Sequence, residues 1–239
     1  MGSESAEGEF PLRIARPKTL EIVEKNYVAF GLLGRKQRSA FCVLWQNSVP
    51  IKMVYRMLEV HSIRGAFTAR ECEQIVAASQ KAPANEALLV GQNKDHNLRR
   101  ADVTWLDDVD GSGWVMSRLI NLVRRSNTSK FDFDLREFAE SPQIACYKGS
   151  DGGHFAWHSD IGDGPVARKR KLSMVVQLSK PGMYDGGDLE IMPGAYAVTA
   201  SRHQGSATIF PSFLLHQVTP VENGDRHSLT VWAHGPAFR

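Results

Sequence analysis

The chain has 239 residues and a mass of 26.6 kDa, the size of one large domain or of one domain with an extension. Hydrophobic residues at 42% and charged residues at 23% are the balance of a soluble globular protein, which excludes collagen-like, disordered and disulfide-framework classes. Net charge is +3, but residues 1–57 carry 9 Lys and Arg against 5 Asp and Glu while the rest carries 20 against 21, so the body lacks the basic excess of a nucleic-acid binder.

Residues 1–57 contain Pro11, Pro17 and Pro50, scattered basic residues and no sustained periodicity. Thr19–Val28 reads as a short helix and Phe41–Trp45 as a short strand. Glu4, Glu7 and Glu9 argue against a signal or transit peptide. Met53 and Met57 stand just before an orderly pattern begins, which suggests an over-extended translation start. The expected division is an extension over 1–57 of uncertain structure and a folded domain over 58–239. No apolar run approaches the length of a membrane span. Cys42, Cys72 and Cys146 are odd in number, widely spaced and form no CxxC pair, which points to a reducing, cytoplasmic compartment.

From Leu58 the signals sharpen. Thr68-Ala-Arg-Glu71 has capping-box spacing and opens a helix with Cys72, Ile75 and Val76 on one face. Val103 and Trp105 alternate as in a strand. Met116, Leu119, Ile120 and Val123 recur at helical spacing and predict a second amphipathic helix. After Pro142 the pattern changes to short strands near 143–148, 154–160, 172–178, 187–192, 207–211 and 226–233. Gly186-Gly187, Pro193-Gly194 and Asn223-Gly224 punctuate them as turns. Helices first and strands after predict an α+β domain, with the helices packed on a sheet or barrel.

The chemistry centres on His158-Ser-Asp160 and His216. In a strand, residues i and i+2 share a face, so His158 and Asp160 converge. A second histidine from a distant strand completes a 2-His-1-carboxylate set, the donor set of non-haem Fe(II) sites that activate dioxygen. An HxD pair alone also occurs by chance between ordinary polar or core histidines. Arg226-His-Ser228, ten residues after His216, shifts the balance. In a strand Arg226 and Ser228 face the same way as Thr230 and Trp232. A guanidinium and a hydroxyl together can grip a carboxylate, although Arg226 alone would read as a surface ion pair.

Several blocks now fall in order: Ile144-Ala-Cys-Tyr147-Lys-Gly, Gly153-His-Phe-Ala-Trp-His158-Ser-Asp160, Arg170-Lys-Leu-Ser-Met-Val-Val-Gln-Leu-Ser179, Tyr184-Asp-Gly-Gly-Asp-Leu-Glu190, Phe210-Pro-Ser-Phe-Leu-Leu-His216-Gln-Val-Thr-Pro220 and Gly224-Asp-Arg226. With them, residues 58–239 resemble the iron(II)- and 2-oxoglutarate-dependent dioxygenases, and more narrowly the prolyl 4-hydroxylase-like, PKHD-type hydroxylases. The resemblance implies a double-stranded β-helix (jelly-roll) core with N-terminal supporting helices. It implies Fe(II) on His158, Asp160 and His216, with 2-oxoglutarate and O2 as cosubstrates and ascorbate as an accessory reductant. Arg226 would pair with the far carboxylate of 2-oxoglutarate. Ser228, Tyr147 and Trp232 would line the cosubstrate pocket. The implied reaction hydroxylates an unactivated C–H bond of an amino-acid-like substrate, small-molecule or peptidyl, with succinate and CO2 as coproducts. Related halogenases carry a small residue where this chain has Asp160, so hydroxylation is favoured. The weighed alternatives are an oxidative nucleic-acid demethylase, disfavoured by the charge of the body, and a non-catalytic metal-binding β-helix module.

Other features read more plainly. His154 stands four residues before His158, about 13 Å away along a strand at roughly 3.3 Å per residue, too far to share an ion. Arg168-Lys-Arg-Lys171 reads as a solvated turn, with a substrate-recruiting lid over Ile161–Lys171, hinged at Gly162 and Gly164, as the functional version. Tyr184-Asp-Gly-Gly187 reads as a turn. Arg99-Arg100, before the first strand, reads equally as a substrate contact or as a pair of surface arginines and is left unassigned.

Overall fold

The computed structural model describes residues 58–82, 85–86 and 97–238. The extension over 1–57, with its expected helix at Thr19–Val28 and strand at Phe41–Trp45, lies outside the described residues.

Among the described residues, two α-helices support the sheets. Helix α1, Ala69–Ser79, starts at the capping box: the Glu71 backbone N–H donates to Thr68 Oγ1 at 3.3 Å and the Thr68 N–H donates to Glu71 Oε2 at 2.8 Å. Such a cap is worth about 1 kcal/mol. It buries Cys72 and Ile75, while Val76 is only partly covered. Helix α2, Gly113–Ser126, buries Val115, Leu119 and Val123, so its core stripe is turned slightly from the expected Met116–Leu119–Ile120–Val123 face. Among the described residues no helix is long and apolar enough to cross a membrane.

Among the described residues there are thirteen strands, in chain order β1 His61–Ile63, β2 Asn85–Glu86, β3 Arg99–Arg100, β4 Asp102–Trp105, β5 Gln143–Lys148, β6 His154–His158, β7 Arg170–Gln177, β8 Tyr184–Gly186, β9 Leu189–Met192, β10 Val198–Thr199, β11 Ala207–Pro211, β12 Leu215–Val218 and β13 Val221–His234, with β1 before the first helix and β2–β4 between the two helices. They form an eight-stranded sheet, β1-β11-β7-β13-β5-β4-β2 with β8 on β13, and a five-stranded sheet, β10-β9-β12-β6-β3. Every pairing is antiparallel.

Strand alternation sorts side chains between two cores. Ile144, Leu172, Met174, Leu229 and Val231 join the helices in one cluster. Ala145, Tyr147 and Phe210 of the large sheet meet Leu189, Ile191 and Val218 of the small sheet in the other. The large sheet is therefore covered on both faces, which explains why β7 is almost wholly buried. Two sheets packed face to face, with helices behind one of them, make the expected jelly-roll core.

Three details correct the sequence reading. Strand β6 ends at His158, so Asp160 lies beyond it instead of within a strand over 154–160. Tyr184–Gly186 is a strand, paired to β13, and only Gly187, at φ +63°, lies beyond it. Asn223-Gly224 is not a turn between strands. It lies inside the 14-residue β13, where the register shifts and Gly224 adopts φ +67°.

Candidate active site

His158 ends β6 and His216 lies in β12, and the two residues are direct partners in the register of those strands. This pairing brings the imidazoles together, with ring centroids 4.1 Å apart. Asp160 arrives from the turn after β6. Its backbone N–H donates to Ser212 O at 3.0 Å, and its own carbonyl accepts from Arg170 Nη1 at 3.0 Å. The carboxylate then sits between the rings, with Oδ1 3.8 Å from His158 Nε2 and Oδ2 3.5 Å from His216 Nε2. All three ligating atoms lie within 4.8 Å of one another. The convergence expected from strand alternation is thus produced by a tied-down turn.

Each imidazole is oriented the same way. His158 Nδ1 donates to Ala156 O at 2.8 Å, and His216 Nδ1 donates to Leu214 O at 2.9 Å. That tautomer leaves both Nε2 lone pairs toward the shared point. Burial, followed by the neighbouring His216 ring, lowers the His158 pKa to about 3, so the imidazole is neutral. Burial would raise the pKa of Asp160, but His216, His158, Arg170 and the Ser173 hydroxyl outweigh it and bring it to about 2. A carboxylate anion at Asp160 and a neutral imidazole at His158 are the forms in which such side chains bind a divalent ion.

A cavity of about 670 Å³ opens over this group, within the range of small-molecule sites. Tyr147, Arg226, Ser228 and Trp232 line it together with the three residues above. Arg226 is 2% exposed, and its guanidinium carbon lies 5.5 Å from the centre of the Tyr147 ring. Gly187, with φ +63°, packs against it, and a Cβ there would stand 3.0 Å from Arg226 Cδ and 2.8 Å from Val221 Cγ2. Gly187 therefore shapes the packing around the arginine, while Gly186 lets the chain pass against Pro220 O.

Three side-chain atoms among the described residues are buried without a hydrogen-bond partner: Arg226 Nη1, Trp232 Nε1 and Arg99 Nε. All three residues line this one cavity. Buried donors are normally satisfied, so their concentration here marks a place built for a ligand with acceptor oxygens.

Sequence reasoning missed part of the support. Ser173 donates to Asp160 Oδ2 at 2.6 Å from a fully buried position in β7. Arg170 and Lys171, expected in a solvated turn, are buried as the first residues of β7. Arg170 stacks on Trp232, 4.0 Å from the ring centre, and forks onto Glu140 through Nε at 2.6 Å and through Nη2. His234 Nε2 lies 2.9 Å from the same carboxylate. The signal was present: a basic pair running directly into Leu172-Ser-Met-Val-Val has no turn residue to keep it in solvent. Gly164, Pro165, Val166 and Ala167 of the expected lid do line the cavity. His154 stays apart, its ring nitrogens 2.9 Å from Gly152 O and 3.1 Å from Asn97 O.

The model of the 2OG-Fe(II) oxygenase superfamily matches residues 142–234. A PKHD-type hydroxylase of Teredinibacter turnerae is 35% identical over 157 residues, which cover 56% of this chain and 69% of that protein. One from Pseudomonas putida is 32% identical over 179 residues, covering 71% and 76%. The chain belongs to the 2OG-Fe(II) oxygenase superfamily. In fold this oxygenase is similar to a Pseudomonas putida prolyl-4-hydroxylase at TM-score 0.61 and 17% identity, over 77% of this chain and 100% of that one. It is likewise similar to a Trichoplax adhaerens prolyl hydroxylase, solved with a hypoxia inducible factor oxygen degradation domain peptide fragment, at TM-score 0.63 and 18% identity over 76% and 87%. The protein is a 2-oxoglutarate-dependent dioxygenase, and its cofactors are Fe(II), 2-oxoglutarate and O2. The residues present fit that set: an N,N,O donor group suits Fe(II), and an unpartnered buried guanidinium suits a diacid.

Two expectations follow from the supporting residues. Ser173→Ala should lower Fe(II) affinity about 10–100-fold, as loss of an outer-shell partner does, with a near-native melting temperature; metal titration reads the first and calorimetry the second. Glu140 gives an acid-stability signature. Burial would raise its pKa, but hydrogen bonds from His234 and Arg170 prevail and lower it from 4.5 to about 2. A lowered carboxyl pKa stabilises the fold above the unfolded value. That contribution, on the order of 2–3 kcal/mol, is lost as pH falls from about 4.5 through about 2. In Glu140→Gln, this part of the acid dependence should disappear from unfolding curves taken across that window.

Proposed function

We propose that this dioxygenase hydroxylates an unactivated C–H bond of an amino-acid-like substrate, free or peptidyl. The observation that carries the reading is the pairing, in one cavity, of the His158–Asp160–His216 group with a buried cation that has no partner. His158, Asp160 and His216 would hold Fe(II). Arg226 would pair with the far carboxylate of 2-oxoglutarate, with the Ser228 hydroxyl and the Tyr147 ring beside it. Trp232 would offer its Nε1–H to the same ligand and, stacked on Arg170, keep water from that wall. Iron, 2-oxoglutarate and dioxygen together supply the oxidation, in which the cosubstrate becomes succinate and CO2 and a C–H bond becomes C–OH. The chain's own part is to orient cosubstrate and substrate, to hold both imidazoles with Nε2 toward the shared point and to exclude water. Residues 58–239 would form the catalytic unit, in a cytoplasmic setting. The prolyl hydroxylases among its fold neighbours, together with its PKHD-type hydroxylase relatives, support an amino-acid-like target.

The test is a mass-spectrometric screen of metabolites and peptides for products 16 Da heavier, run with Fe(II) and 2-oxoglutarate while succinate is measured. Succinate formation coupled to an oxidised amino acid or peptide is the expected result. Folded, iron-loaded protein that consumes no 2-oxoglutarate in any mixture would sink the reading. Coupled formaldehyde release from methylated oligonucleotide would replace it with the demethylase.

A further inference from the structure

Arg99 lies in β3, the edge strand of the five-stranded sheet, directly opposite Phe155 of β6. Its guanidinium carbon sits 4.6 Å from the centre of the Phe155 ring, and that ring stacks on His158 with centroids 3.4 Å apart. Arg99 is thus one aromatic ring away from the iron side of the cavity. It is 9% exposed, lines the cavity, and bonds a side chain only through Nη2, to Gln143 Oε1 at 3.3 Å; its Nε is buried and unpartnered.

Charge pairing isolates this residue. Arg170 is neutralised by Glu140. A ferrous ion, the dianion of 2-oxoglutarate, the Asp160 carboxylate and Arg226 together carry no net charge. Arg99 is then the one cation lining the cavity, among the described residues, that nothing balances. A buried guanidinium without a counter-ion is costly unless a ligand supplies the charge.

We propose that Arg99 anchors the carboxylate of the substrate, so that the substrate is an amino acid with a free carboxylate or a peptide held by its C-terminus. This rests on the oxygenase-site reading above and deepens it. A carboxylate suits the position because a planar anion can take the free Nε–H in the plane of the guanidinium. Held at Arg99, with Phe155 between it and His158, the substrate would present carbon atoms near its carboxylate to the metal.

The experiment uses the full chain loaded with Zn(II) and 2-oxoglutarate, which binds without turnover. Ligand-observed NMR compares the common amino acids and a set of dipeptides, each as the free acid and as the amide. At least one acid is expected to bind tenfold or more tightly than its amide. Binding confined to amino acids identifies a free substrate, and binding confined to dipeptides identifies a peptide C-terminus. Arg99→Gln should remove the acid preference, and Arg99→Lys should keep part of it. Arg100→Gln, an exposed neighbour bonded to Asp151 O, should behave as the unmodified protein. Equal binding of acids and amides, binding of neither, or an acid preference that survives in folded Arg99→Gln would overturn the proposal. The acid–amide comparison needs no variant, so a folding defect cannot mask it. Failure of the unmodified protein to bind 2-oxoglutarate would instead fault the site reading on which the proposal stands.

Discussion

Asp160→Ala is expected to abolish Fe(II)-dependent succinate formation and to weaken metal binding by more than the ~10–100-fold that loss of an outer-shell partner costs. Asp160 is the only anion in the three-residue group. Without it only the two imidazoles remain, and a hard divalent ion loses both a ligand and its charge compensation. The fold should survive, because Ser173 Oγ retains Ser212 Oγ at 3.0 Å and the backbone bond from residue 160 to Ser212 does not need the side chain. Metal titration with Co(II) absorption and a succinate assay check the two losses, and a melting curve checks the fold. Unchanged metal affinity in the folded variant would remove Asp160 from the ligand set.

Arg226→Ala should act on the cosubstrate. Truncating one partner of a buried charge pair costs about 2–5 kcal/mol, or roughly 30- to several-thousand-fold in affinity. The KM for 2-oxoglutarate should therefore rise steeply, with a smaller effect on the rate at saturation. Calorimetric titration of 2-oxoglutarate into the Zn(II)-loaded protein measures the affinity directly. The rise in melting temperature that 2-oxoglutarate gives the native protein should vanish in the variant. Arg226→Lys should fall between, because an ammonium keeps the charge but loses the planar fork. A variant that binds 2-oxoglutarate as tightly as the native chain would release Arg226 from this role.

What could be read from the residues was what local rules govern. The capping box at Thr68 and Glu71 needs only four consecutive residues, and it forms as read. The alternation in β13 placed Arg226, Ser228, Thr230 and Trp232 on one face, and all four line the cavity. His158, Asp160 and His216 were identifiable because few chemistries ask for that donor set. The misread elements fail for a common reason. Arg170 is buried because Glu140, 30 residues earlier, and Trp232, on a neighbouring strand, receive it. Its run of basic residues shows that no turn separates it from the strand, but not which distant groups receive it.

The amino-acid sequence alone determined the donor set of His158, Asp160 and His216, the capped start of the first helix and the face of β13 that carries Arg226, since each depends on residue type or on spacing within one element. Only the tertiary structure decided how Asp160 reaches the histidines, through Ser212, Arg170 and Ser173, and that Arg99 stands unbalanced beside Phe155. Those outcomes depend on which strands become neighbours and in what register. That choice is made by packing across the whole sheet, where burial of an ion is tolerated only if a distant partner or a ligand meets it.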